Sequence, residues 1–67
     1  MGDTIRKIRT IVIDDEYPAR KLLADYVSKV ENFELVAECE SAVDAMNVIQ
    51  SENIDLIFLY VILFFYI

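Results

Sequence analysis

The sequence predicts an α/β fold built on a parallel sheet, and three observations carry that prediction. Short runs rich in β-branched and aliphatic residues, at 8–13, 33–39 and from Ile54 onward, read as strands. Two stretches between them space their apolar residues at helical intervals. The order is therefore β-α-β-α-β. Alternation of this kind implies parallel strands, right-handed crossovers and helices packed on the sheet.

The first strand runs from Ile8 to Ile13. Its three successive aliphatics, Ile11, Val12 and Ile13, suggest burial on both faces, and Asp14-Asp15-Glu16 ends it abruptly. Pro18 suits the first turn of the following helix, where a missing N–H costs nothing, and the acids before it favour the positive end of the helix dipole. Ala19, Leu22, Leu23, Tyr26, Val27 and Val30 form one apolar stripe, with Arg20, Lys21, Asp25 and Lys29 opposite and a stop at Glu31-Asn32. The second strand, Phe33 to Cys39, alternates: Phe33, Leu35, Ala37 and Cys39 on one face, and Glu34, Val36, Glu38 and Glu40 on the other. That mixture suits an edge strand. Ser41 and Asp44 resemble a capping box, and Ala42, Ala45, Met46 and Ile49 give the second helix its spacing before Ser51-Glu52-Asn53 ends it.

Composition narrows the function. The chain has 67 residues, room for one small and marginally stable domain. Its single cysteine, Cys39, allows no internal disulfide and fits a reducing compartment. With one Cys and no His, a zinc site lacks ligands. A net charge of −6 argues against nucleic-acid binding, which needs a basic patch. No signal peptide is expected at the start, and Arg6 stands where myristoylation of Gly2 would prefer Ser or Thr. From Leu56 to Ile67 the chain is unbroken apolar and aromatic. As a helix those 12 residues would span about 18 Å, short of a hydrocarbon core of roughly 30 Å, so membrane insertion is not the expectation.

Asp14, Asp15 and Glu16 crowd carboxylates at the carboxyl end of the first strand, where ligands bind in sheets of this type. Mg²⁺, which takes carboxylate and water oxygens, would relieve their repulsion; a solvated acid run that only caps the helix is the alternative.

The stretch Ile11-Val12-Ile13-Asp14-Asp15-Glu16-Tyr17-Pro18-Ala19-Arg20 closely resembles the opening of response-regulator receiver domains. Phe33-Glu34-Leu35-Val36-Ala37-Glu38-Cys39 resembles their second strand, and Asp55-Leu56-Ile57-Phe58-Leu59 the run leading to their phosphorylation site. The wording of Glu-Tyr-Pro-Ala-Arg and Ala-Glu-Cys-Glu looks most like receivers that precede LytTR-type DNA-binding domains. The resemblance covers roughly residues 8–59. It implies a flavodoxin-like, CheY-like (βα)5 receiver fold of which the chain carries the β-α-β-α-β part, with parallel strand order 2-1-3. Residues 1–67 then read as a partial receiver (response regulatory) domain and 60–67 as an atypical apolar tail.

In such receivers a sensor histidine kinase supplies a phosphoryl group to an aspartate at the tip of the third strand. Mg²⁺, held by two acids after the first strand, neutralises its charge. Asp14 and Asp15 match those acids, and Glu16 a neighbouring acid of less defined role. The acceptor position, however, is Tyr60. A phenol forms no acyl phosphate and gives the metal no carboxylate, so the resemblance implies a weak Mg²⁺ site, no phosphate acceptance and no enzymatic activity. Asp55, about 16 Å away along the strand, is no substitute. The switch to purely apolar sequence after Leu59 suggests a frameshift or a truncated product.

The remaining expectations are plainer. Cys39 reads as a buried, unreactive thiol; Tyr17 and Tyr26 as packing residues; Met46 as core filler; Arg20 and Lys21 as a solvated helix face that in intact receivers lies near the docked kinase. The leading function is a truncated, cytoplasmic, bacterial receiver of a two-component phosphorelay. The competing ones are a non-catalytic interaction module pairing through its exposed third strand, with self-association through residues 54–67, and a small membrane-associated peptide anchored by residues 56–67.

Overall fold

The structure, a computed structural model, describes residues 6–60. Strand β1 (Ile8–Asp14) leads to helix α1 (Tyr17–Lys29), then β2 (Phe33–Cys39), α2 (Ala42–Ser51) and β3 (Leu56–Tyr60). The strands form one parallel sheet in the order β2-β1-β3. This is the α/β topology the sequence predicts. The apolar residues after Tyr60, and Gly2, lie outside the described residues.

β1 is the middle strand because it alone can be buried on both sides. Thr10, Ile11 and Val12 are fully enclosed, and Ile13 nearly so. In a parallel sheet, residues in register share a face. Ile11 and Ile13 lie on one face with Cys39, Ala37 and Ala45 of α2, joined by Val36, Val48, Ile49 and Ile54. Thr10 and Val12 lie on the other, in register with Leu35 and Glu38 of β2 and with Leu56 and Phe58 of β3. Enclosing one aliphatic side chain contributes about 1.5–3 kcal/mol, so this strand supplies much of a small core's stabilisation.

The amino end of the sheet is pinned by Arg9. Its guanidinium donates to the Asn53 carbonyl at 2.8 Å, to Glu34 Oε2 at 2.9 Å and to Glu52 Oε1 at 2.7 Å. Its backbone N–H donates to Asp55 Oδ2 at 2.9 Å, and its carbonyl accepts from the Asp55 N–H at 2.8 Å. Arg6 Nη2 holds Asp55 Oδ1 at 2.9 Å. Partly exposed ion pairs contribute little stability. Their effect is positional: with Asp55 clamped to Arg9, Leu56 falls beside Thr10, and each later residue of β3 follows up to Tyr60 beside Asp14.

Several expectations are corrected. The even alternation of β2 is broken by a register shift: Leu35 pairs with Thr10 but Ala37 with Ile11, leaving Val36 as an extra residue. Such a bulge switches the face of everything after it. Phe33 and Leu35 therefore face away from Ala37 and Cys39, and Val36 joins the core. On α1 the buried residues are Ala24 and Val27; Leu22, Tyr26 and Val30 of the expected stripe are largely exposed. The helix lies over β1 and β2 only, and small Ala24 lets it approach there. Tyr17 and Met46 are likewise largely exposed rather than packed in the core. β3 begins at Leu56, two residues after Ile54. Residues 56–60 are strand, which removes a membrane helix over that part of the apolar run; among the described residues no helix is long and apolar enough to cross a membrane.

α2 starts where Ser41 stops the extended chain. Ser41 Oγ accepts from the Asp44 N–H at 3.2 Å, the cap expected from its sequence. Replacing that hydroxyl is expected to be costly in so small a domain: Ser41→Ala should lower unfolding stability by about 1 kcal/mol in urea titration. A change of a few tenths or less would show that the cap does not hold α2.

Candidate functional site

The acids Asp14, Asp15 and Glu16 sit where β1 turns into α1, and they are not equivalent. Asp14 is the last residue of β1 and is only 2% exposed, whereas Asp15 and Glu16 face solvent. Burying a carboxylate is costly unless it is hydrogen-bonded. Asp14 Oδ1 accepts from the Glu16 N–H at 2.9 Å, an Asx-type turn that bends the chain out of the sheet. Both helices begin at this edge, so the positive ends of their dipoles lie on the same side as the acids.

Arg20 is the residue whose role sequence reasoning missed. Its Nη1 donates to the Asp14 carbonyl at 2.8 Å, and its guanidinium lies 5.4 Å from the centre of the Tyr17 ring. Lys21 Nζ approaches the same ring at 5.5 Å and Glu38 Oε1 at 3.0 Å. That oxygen is shielded from solvent and accepts no well-angled hydrogen bond, so its partner is the lysine's charge rather than a hydrogen. Neither residue is the freely solvated face expected from the helical pattern. A signal was available in the spacing: Arg20 is one turn into α1, near enough to reach back to the strand end.

Position 60 completes the edge. The register of β1 and β3 sets Tyr60 directly beside Asp14, so the tip of the third strand and the end of the first are neighbours at the strand spacing of about 4.8 Å. Asp55 is at the opposite end of β3, held by Arg6 and Arg9. Among the described residues no three His, Cys, Asp or Glu side chains converge as a metal cage. Asp14 and Asp15 offer two carboxylates on adjoining residues. That donor set suits Mg²⁺, which is often held by one or two carboxylates with water completing its shell.

An open cleft of about 440 Å³ lies elsewhere, at the amino end of the sheet, between Arg6, Lys7, Ile8, Phe33, Asp55 and Leu56. It contains none of the acids of the Asp14 edge, and the chemistry of that edge does not depend on it.

The fold and this edge together define a class: a flavodoxin-like receiver topology, with acids at the carboxyl end of β1 beside the tip of β3. Over 52 residues the chain is 40% identical to an uncharacterized response regulatory protein of Yersinia pestis and 36% identical to one of Shewanella oneidensis. The aligned stretch is 78% of this chain and 22% of each relative, so the chain spans about a fifth of the length of the curated relatives it matches. No family model and no solved structure matches it. The likeness supports a response-regulator receiver-like region in this chain.

Cys39 stands in register with Ile13, one residue short of Asp14. Burial pushes its thiol up from the ordinary value, the Asp44 carboxylate pushes it the same way, and Arg20 opposes them. A raised folded pKa means that the folded chain holds the thiol proton longer than the unfolded chain. The stability this lends is whole below the unfolded thiol pKa of about 8.5 and is lost as pH rises through the folded value. Iodoacetamide should therefore alkylate native Cys39 more slowly than the urea-unfolded chain, and the native rate should keep rising at pH values where the unfolded rate has levelled. Equal rates in both states would show the thiol to be open.

Proposed function

We propose that this region is a receiver-type module of a bacterial two-component system, of the kind that precedes LytTR-type DNA-binding domains, and that it does not accept a phosphoryl group. One observation carries the reading: β3 runs in register with β1 so that position 60 stands beside Asp14, and that position holds Tyr60. In this reading Asp14 and Asp15 take up Mg²⁺ weakly, through two carboxylates and water. The metal would supply charge neutralisation for a phosphoryl group. The chain's own contribution would be the buried Asp14 carboxylate, fixed by the Glu16 N–H, and the strand end held by Arg20.

The setting proposed is the bacterial cytoplasm, and the partner a sensor histidine kinase meeting the α1 side near Arg20 and Lys21. No enzymatic activity belongs to this reading. Binding of nucleic acid by this region is not part of it either, in keeping with the net charge of −6. A second reading, a non-catalytic interaction module, is favoured by one observation: Ile57 and Leu59 of β3 are 44% and 61% exposed.

Incubation with a small-molecule phosphodonor and Mg²⁺, followed by intact mass measurement, tests the main reading. The expected spectrum shows no gain of a phosphoryl group. A hydroxylamine-labile adduct would mean that a carboxylate here does accept phosphate, and the assignment of Tyr60 to the acceptor position would fall.

A further inference from the structure

Tyr17 opens α1 and is 62% exposed, so burial does not account for where its ring lies. Two cations lie against that ring, the Arg20 guanidinium at 5.4 Å and Lys21 Nζ at 5.5 Å from its centre. Each cation is anchored beyond the ring. Lys21 Nζ stands 3.0 Å from Glu38 Oε1 on β2, and Arg20 Nη1 donates to the Asp14 carbonyl at 2.8 Å. Glu38, Lys21, Tyr17, Arg20 and Asp14 thus form one connected line from β2, through the first turns of α1, to the end of β1. An aromatic face attracts a cation, and the planar guanidinium stacks on it in a set orientation.

Arg20 also grips the turn from its other side: its backbone N–H donates to the Glu16 carbonyl at 2.9 Å. The residues spanned by the two grips, Asp14 to Glu16, are the three acids. Asp14 is 2% exposed, and its Oδ1 takes the Glu16 N–H. Its carboxylate is therefore fixed by packing and by that bond. The Asp15 carboxylate is exposed and has no such enclosure. Rotation of the peptide joining Asp14 to Asp15 would swing it away from Asp14. The carbonyl of that peptide is the one Arg20 holds.

We propose that Arg20, seated on Tyr17, is a positioning residue for cation binding at Asp14 and Asp15. It touches no metal and holds the two carboxylates at one spacing. The inference rests on the reading of these acids as a Mg²⁺ site. Outer partners that orient metal ligands govern affinity in this way without contacting the metal. Charge alone predicts the reverse for Arg20, since a cation beside the site repels Mg²⁺. The two effects differ in sign. Tyr17 separates them further, because its removal takes away no charge and no metal ligand.

Titration of the full 67-residue chain with Mg²⁺ alone, followed by the amide shifts of residues 14–16, tests this. Tyr17→Ala and Arg20→Ala should each weaken binding about tenfold. The double variant should be little weaker than either single one, because ring and guanidinium act as a unit. Tyr17→Phe keeps the ring and should bind as the unaltered chain does. Without metal, the Glu16 N–H should exchange faster in both alanine variants, while the amides of β2 and α2 keep their rates. Tighter binding by Arg20→Ala would show that its charge outweighs its placement, and would overturn the proposal. Unchanged affinity in Tyr17→Ala would overturn it too, and would leave the metal reading intact. No Mg²⁺-dependent shift at 14–16 in the unaltered chain would instead remove the metal reading, and the proposal with it.

Discussion

Burial of β1 on both faces is the constraint on which the rest of the structure depends. A strand enclosed above and below must be central, so β2 and β3 take its two sides and the helices its two faces. Five consecutive buried residues, Thr10 to Asp14, carry that enclosure to the strand's last residue. Asp14 is thereby held as a buried carboxylate at the carboxyl edge. Its energetic cost is offset by the Glu16 N–H that it accepts and by the turn which that bond forms. The feature that makes the edge chemically distinctive is thus a direct outcome of core packing.

The second constraint is registration, and it comes from the opposite end. Arg9 and Asp55 exchange a two-bond clamp, and the Arg9 guanidinium gathers the ends of β2 and α2 around it. Each bond is modest, but together they fix where β3 starts. Five residues later that start determines which residue stands beside Asp14. A slip of one would place Leu59 there and reverse every face of β3. The identity of the residue beside Asp14 therefore rests on contacts about 16 Å away from it.

Much of this was legible in the sequence, for identifiable reasons. The Ile11–Ile13 run could satisfy only a two-sided burial, and the Ser41 cap and the β-α-β-α-β order followed from local chemistry. The acids of the edge were legible as a cluster, but not their inequality, because only packing separates buried Asp14 from exposed Asp15. The bulge at Val36 was hidden because a period of two carries no mark of an inserted residue. The true face of α1 was hidden because Ala24 is less apolar than Leu22 and Tyr26 yet sits where the helix meets the sheet. Arg20 and Lys21 looked like solvated charge because helical spacing says nothing of what lies across a strand end.

Mg²⁺ affinity, compared between the chain and its Tyr60→Asp variant, tests most directly whether position 60 is the missing third ligand position. With Asp14 and Asp15 in place, a carboxylate introduced at 60 should complete the oxygen set and tighten Mg²⁺ binding by about tenfold or more, read by calorimetry or by amide shifts at 14–16. Unchanged affinity in a folded variant would contradict it, since a carboxylate at position 60 would then add no oxygen to the set offered by Asp14 and Asp15.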